Sequence, residues 1–286
     1  MVLPCSHDHT ATDQISPAID MLRNLNTQHV DVLQAHGVIP QDYHGRLVFR
    51  SAVESIRGTY IASSMTQRHR LVADTLEVLK QKNLISEYQA QGSRQRFDFQ
   101  VMIASTPMEM AAIEVKGGEG NSVNISERPL WASEFIVWCH LDGAIINQPS
   151  HGAASIIFNR IASEMVKRRK QVDAVLFKDA QCNTALRPCP KYLHGASPSE
   201  LGVAPDVFLM PQEIPTTDNP TPQTHNLNTT KLPARILEAH GVSQAEMEDH
   251  IWHVAIRIAK ESNGRTARLM GLYHKGNLIE SRRSTR

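Results

Sequence analysis

The sequence predicts an α/β fold, with a mixed central sheet flanked by helices and a C-terminal β-rich extension. Segments with apolar residues at helical spacing follow segments in which apolar residues alternate or run continuously. A stretch rich in Thr, Pro, Asn and Gln, residues 215–233, reads as a linker. We therefore predict an N-terminal helical arm (1–46), a core (47–214), this linker and an extension (234–286).

The composition is that of an ordinary globular protein. The chain has 286 residues, of which 41% are hydrophobic and 21% charged, and this length suffices to bury a core. No apolar run reaches the roughly 18 residues of a membrane span, and the N-terminus lacks the features of a signal peptide. Four cysteines are too few for a disulfide scaffold at this length. These features favour a cytoplasmic protein without membrane contact.

The core is predicted to begin with a helix followed by a β-hairpin. Apolar residues recur at roughly helical spacing over residues 47–82, where Gly58 and the Ser63-Ser64 pair are candidates for a break, and the part next to the hairpin is 65–82. Apolar and polar residues then alternate over 94–104, which predicts a half-buried strand. Residues 105–108 form a turn, and 110–116 form the second strand.

The remaining elements are predicted from apolar runs and capping signals. Residues 129–141 read as an apolar helix, and 151–170 as an amphipathic helix. Short, nearly continuous apolar runs at 172–177 and 206–210 predict buried strands. In the extension, a capping-box pattern at Ser243 and Glu246 and an Asn263-Gly264 turn predict a short helix and a β-meander to about residue 280.

Two carboxylates and one amine are predicted to converge in the hairpin. With a turn centred between Thr106 and Pro107, paired positions sum to about 213, which places Asp98 opposite Val115 and one residue from Glu114. The side-chain period of two places Glu114 and Lys116 on one face of their strand. A change of one residue in register would bring Asp98 beside Glu114.

This cluster suits metal-assisted hydrolysis of a phosphate ester. Two close carboxylates repel each other, and a bound divalent cation removes that conflict. Carboxylate oxygens are hard ligands that suit Mg²⁺, with Mn²⁺ as a substitute. Such a metal lowers the pKa of a bound water and stabilises charge on a phosphate. Lys116 can orient the attacking water.

These residues resemble the motif of the PD-(D/E)XK nuclease superfamily. Asp98 matches its first acid, and Glu114-Val115-Lys116 matches its E-x-K half, with 15 residues between the two acids. The predicted order of elements over about residues 50–210 is also similar to the superfamily core. One departure is Phe97, which stands where proline is usual. The resemblance implies that Asp98, Glu114 and the Val115 carbonyl bind the metal while Lys116 assists catalysis.

The resemblance also implies a function and a partner. A self-standing chain of this size resembles a type II restriction endonuclease, which implies Mg²⁺-dependent cleavage of double-stranded DNA by a homodimer. A structure-specific or repair nuclease on the same core remains an alternative. A catalytically inactive DNA-binding module and a coincidental motif in an unrelated protein are two further alternatives.

Several other residues are candidates for supporting roles. Members of the superfamily often carry another acid on the preceding helix, for which Glu54 and Glu77 are the candidates. The basic run Lys167, Arg168, Arg169 and Lys170 is a candidate for contacts to DNA phosphates, or else a solvated helix end. The spacing of Cys182, Cys189 and His194 is not that of a structural zinc site. The three tryptophans are interpreted as core anchors; they are Trp131, Trp138 and Trp252.

Overall fold

A computed structural model of the chain describes residues 65–92, 95–117, 124–141, 153–179, 201, 204–262 and 264–285. The helices of this described part are α1 (Met65–Gln81), α2 (Ala153–Arg168), α3 (Lys231–Ala239) and α4 (Met247–His250). Its strands are β1 (Glu87–Ala90), β2 (Phe99–Ser105), β3 (Met108–Gly117), β4 (Glu134–Leu141), β5 (Ala174–Asp179), β6 (Asp206–Leu209), β7 (Ile251–Lys260), β8 (Thr266–His274) and β9 (Asn277–Thr285).

These strands form one mixed sheet in which their order follows the chain. The central strands β3, β4 and β5 are parallel, and α2 lies between β4 and β5 in sequence, as a parallel crossover requires. The hairpin β2–β3 and the meander β7–β9 are antiparallel. Strand β6 joins the two regions, because it pairs antiparallel with β5 and parallel with β7. The predicted mixed α/β fold is confirmed at this level.

A hydrophobic core lies on each face of the sheet. Phe158 and Ile161 of α2 pack on one face together with Phe135 of β4. Leu76 of α1 and Ile236 of α3 pack on the opposite face. The sheet is therefore covered by helices on both sides, and its central strands are buried on both faces.

The prediction of a helix over residues 129–141 is wrong, because Glu134–Leu141 is the central strand β4. Its side chains alternate between the two cores: Phe135 and Val137 face one core, and Ile136 and Trp138 face the other. A strand buried on both faces has no polar side, so its sequence loses the alternation that identifies a strand.

The C-terminal part was predicted correctly in outline. Gly264 lies in the turn between β7 and β8 with φ of +78°, and the meander continues to Thr285. Helix α3 was not predicted, and it begins at Lys231 inside the predicted linker. Strand β1 was also not predicted. Within the described residues, no helix combines the length and apolar character needed to cross a membrane.

Candidate functional site

A β-bulge in the β2–β3 hairpin aligns Asp98 with Glu114. Next to the turn, Ser105 pairs with Met108, which is the predicted register. The register then shifts at Ile103, and beyond it Phe99 pairs with Ile113. Asp98 is the next residue along, and its backbone N–H donates to the Ile113 carbonyl at 2.9 Å. The bulge thus supplies the change of one residue that brings Asp98 level with Glu114.

The Asp98 carboxylate ends the ladder between the two strands. The Val115 N–H donates to Asp98 Oδ2 at 2.6 Å, so a side-chain oxygen takes the place of the next backbone acceptor on β2. The Val115 carbonyl points to the same strand edge as its N–H. Two of the three predicted metal-binding groups, the Asp98 carboxylate and the Val115 carbonyl, therefore lie along one edge of β3.

Glu114 is nearly buried, with 5% of its side chain exposed. Ser126 holds this carboxylate through two hydrogen bonds: its N–H donates to Oε2 at 3.0 Å and its hydroxyl donates to Oε1 at 2.8 Å. Lys116 Nζ lies 2.6 Å from Glu114 Oε1, and 27% of the lysine side chain remains exposed. The pair therefore presents a positioned ammonium group to solvent above a fixed carboxylate.

Helix α1 contributes two polar side chains that the sequence analysis did not identify. His69 Nε2 lies 3.2 Å from Asp98 Oδ1, although the two atoms are not aligned for a hydrogen bond. The neighbouring residue Arg68 is 6% exposed. A sequence signal for both existed, because they continue the apolar stripe of Val72 and Leu76 at helical spacing. Polar residues in such a stripe indicate a special environment.

The thiol of Cys139 borders the same site. Cys139 pairs with Lys116 across β3 and β4, and burial raises the pKa of this thiol to about 12, although the charge of Lys116 acts in the opposite direction. A thiol must lose its proton to bind a metal. Near neutral pH the Cys139 thiol is therefore protonated and does not serve as a metal ligand at this site.

The oxygen donors fit a hard divalent cation such as Mg²⁺. Glu114 accepts two hydrogen bonds from Ser126 and forms an ion pair with Lys116, and Asp98 accepts from Val115 and lies beside His69. A carboxylate has about four acceptor positions, so each retains capacity for a cation. The described residues include no cluster of three or more His, Cys, Asp and Glu side chains. Magnesium needs no such cluster, since one or two carboxylates and water suffice.

Of the two candidates for a supporting acid, the structure describes only Glu77. Glu77 lies on α1, where it accepts from Gln81 Nε2 at 3.1 Å and from the Tyr88 hydroxyl at 3.2 Å. These contacts connect α1 to β1 and do not involve Asp98 or Glu114. Glu54 lies outside the described residues, as do the three candidates for zinc binding, Cys182, Cys189 and His194.

The basic run at the end of α2 is partly neutralised. Arg168 Nη1 and Lys170 Nζ each lie 3.3 Å from Glu164 Oε2. Lys170 also donates to the carbonyl of Ile125, the residue before the Ser126 that holds Glu114. Lys167 and Arg169 are exposed. The contact of the basic run with DNA phosphates remains a prediction. Lys170 contacts the residue next to Ser126, which in turn holds Glu114.

The interpretation of the tryptophans as core anchors is right for two of the three. Trp138 and Trp252 are buried. Trp131 is 42% exposed, and its ring packs edge-to-face on Phe97 with the centroids 5.2 Å apart. It belongs to the loop before β4, where a large side chain has partners on one side only.

No family model matches this sequence, and no curated protein or solved structure shows significant similarity to it.

Proposed function

We propose that this protein is a Mg²⁺-dependent endonuclease that hydrolyses phosphodiester bonds of double-stranded DNA, in the manner of a homodimeric type II restriction enzyme. The observation that supports this most strongly is the alignment of Asp98 with Glu114 at the open end of the β2–β3 hairpin, with Lys116 held on Glu114 at 2.6 Å. The order of α1, the hairpin, β4, α2 and β5 also supports a restriction-endonuclease-like core.

The role proposed for each residue follows from the groups whose charge changes during hydrolysis of the phosphodiester bond. Water oxygen forms a bond to phosphorus, the bond from phosphorus to one ester oxygen breaks, and negative charge builds on the phosphoryl oxygens. Asp98, Glu114 and the Val115 carbonyl would hold Mg²⁺ or Mn²⁺, and a bound metal supplies an acidified water and stabilises that charge. The chain's own contribution is to fix these oxygens before the substrate arrives.

Lys116 is placed to act on the attacking water. Its ammonium group is fixed by Glu114, which is in turn fixed by Ser126. Because Lys116 is still partly exposed, it can donate a hydrogen bond to the water or to a phosphoryl oxygen. A positioned donor of this kind typically contributes about 100- to 1,000-fold to the rate.

Substitutions at these positions test the proposal. We expect Glu114→Gln, Asp98→Asn and Lys116→Met each to reduce the rate of plasmid cleavage in Mg²⁺ by at least about 100-fold. The matched control is Glu109→Gln, because Glu109 lies on the same strand β3 but pairs with Lys231. Cleavage at the normal rate by Glu114→Gln or Lys116→Met would refute the assignment.

The form of the products identifies the class of nuclease. A restriction enzyme produces discrete plasmid fragments with mapped ends, and cleavage stops when EDTA removes the metal. Cutting of branched or single-stranded substrates alone would instead indicate a structure-specific nuclease. Retention of DNA without any Mg²⁺-dependent cutting would indicate a binding module and would contradict our proposal. Sedimentation of the protein with and without DNA tests the homodimer.

A further inference from the structure

We infer that Arg68 binds the phosphate group on which the site acts. This inference rests on the proposed function for the identity of the ligand, a DNA phosphodiester. Arg68 lies in the first turns of α1, one residue before His69, whose ring is 3.2 Å from Asp98. It therefore lies on the helix that borders the site, and its charge acts on the Cys139 thiol, the strand partner of Lys116.

One donor of the buried Arg68 side chain has no partner. Only 6% of the residue is exposed, and within the described part of the chain its Nε has no hydrogen-bond acceptor. A buried donor without an acceptor destabilises the folded state, because it loses water without gaining a hydrogen bond. Such a group calls for an explanation, and a ligand that supplies the acceptor is one.

The charges at the site favour an anion as that ligand. Asp98 and Glu114 are balanced by Lys116 and Arg68, so a divalent cation bound by the two carboxylates leaves the site positive. A phosphodiester carries one negative charge and offers oxygens to which a guanidinium group can donate two parallel hydrogen bonds. The electrostatic influence of Arg68 on the Cys139 thiol, the strand partner of Lys116, is consistent with this position.

Arg70, on the same helix, provides a matched control for Arg68. Arg70 is two residues further along α1, so it lies on nearly the opposite face of the helix. It is 82% exposed and faces Asp74 at 3.8 Å. Substitution of Arg70 changes the charge of the protein equally but leaves the site unchanged.

The first test measures stability with inorganic phosphate as the probe and Mg²⁺ present, because the bound cation is what leaves the site positive. We expect Arg68→Met to unfold at the same temperature as the wild type or higher, because a buried donor without an acceptor is removed. We also expect phosphate, compared with chloride at equal ionic strength, to raise the melting temperature of the wild type and of Arg70→Met more than that of Arg68→Met. The comparison among variants removes the general stabilising effect of phosphate salts.

The second test measures binding of a DNA duplex in Ca²⁺, which supports binding without requiring turnover. We expect Arg68→Met to weaken binding by about 10- to 100-fold, as loss of a charged hydrogen-bonding pair does. The slope of log affinity against log salt concentration should also decrease by about 1, since one phosphate contact is lost. Arg68→Lys keeps the charge but not the paired donors, so we expect an intermediate affinity.

The outcomes separate this inference from the proposed function. A full phosphate response in Arg68→Met, or a lower melting temperature without phosphate, would overturn the role of Arg68. If Glu114→Gln abolishes cleavage while Arg68→Met binds and cuts like the wild type, the inference fails and the nuclease proposal stands. If the wild type cuts no DNA but its phosphate response requires Arg68, the anion site stands and the nuclease proposal fails.

Discussion

His240 is a neutral histidine enclosed between α3 and the sheet. It is 1% exposed, its Nδ1 donates to the Ile236 carbonyl at 2.8 Å, and its Nε2 has no acceptor among the described residues. Burial, together with the smaller effect of the nearby Lys178 charge, lowers the pKa of this side chain to about 3. A proton on this ring would be buried with few groups to stabilise it.

This histidine should make the protein less stable in mild acid. The pKa is lower in the folded state than the ordinary value of 6.5, so below pH 6.5 the unfolded state binds a proton that the folded state does not. We expect the free energy of unfolding to fall by about 2 kcal/mol between pH 7 and pH 5 from this group. Urea unfolding at pH 7, 6 and 5 measures the change.

A pair of variants isolates that contribution. His240→Gln removes the titrating group and should flatten the pH dependence by the same amount. His253→Gln, at a half-buried position on β7, should leave the decrease in place. An unchanged pH dependence in His240→Gln would show that the ring is not buried neutral.

At the scale of elements, helix α3 is capped by a residue almost a hundred positions earlier in the chain. Thr230 at its N-cap makes no side-chain hydrogen bond. Instead, Lys231 N–H donates to Glu134 Oε1 at 2.6 Å and Leu232 N–H donates to Oε2 at 3.0 Å. Burial raises the pKa of Glu134, while these two hydrogen bonds lower it. The first strand residue of β4 thus satisfies the free N–H groups at the start of α3.

Loss of this cap should destabilise the fold. We expect Glu134→Ala to lower the free energy of unfolding by about 1–3 kcal/mol, because two N–H groups at the start of the helix, one of them buried, lose their acceptors. Glu87→Ala removes an exposed ion pair with Lys80 and should change stability little. Denaturant unfolding of the two variants provides the comparison, and equal stability of both would contradict the capping role.

At the scale of the whole molecule, the C-terminal region belongs to the same folding unit as the site. Trp252 of β7 stacks on Phe208 of β6 with centroids 5.3 Å apart. Arg235 of α3 donates to the carbonyls of Leu84 and Ile103, and Ile103 is the bulge residue that sets the register of Asp98. The extension is therefore part of both cores and touches the hairpin that carries the site.

A chain cut at the predicted end of the core should not fold. We expect a fragment of residues 1–214 to lack cooperative thermal unfolding, since it loses α3 and β7–β9 from the two hydrophobic cores. The full chain should unfold the described region in one transition. Circular dichroism and limited proteolysis of both chains measure this, and a protease-resistant, cooperatively unfolding fragment would disprove it.

Local patterns in the sequence predicted much of the secondary structure of this protein. Side-chain periods of two and 3.6 residues follow from backbone geometry alone, and they predicted the hairpin, α1 and α2. Short apolar runs predicted β5 and β6. The same period places Glu114 and Lys116 on one face of β3, and their contact at 2.6 Å agrees with it.

Features that depend on contacts between distant segments of the chain could be found only from the tertiary structure. Strand β4 is buried on both faces, so its sequence has no polar face and lacks the alternation that identifies a strand. Helix α3 has its first N–H groups capped by Glu134, which is distant in sequence. The bulge at Ile103 aligns Asp98 with Glu114, Ser126 fixes Glu114, and α1 brings His69 to Asp98. Short-range periodicity cannot encode these contacts, because they arise only when elements far apart in the chain pack against one sheet.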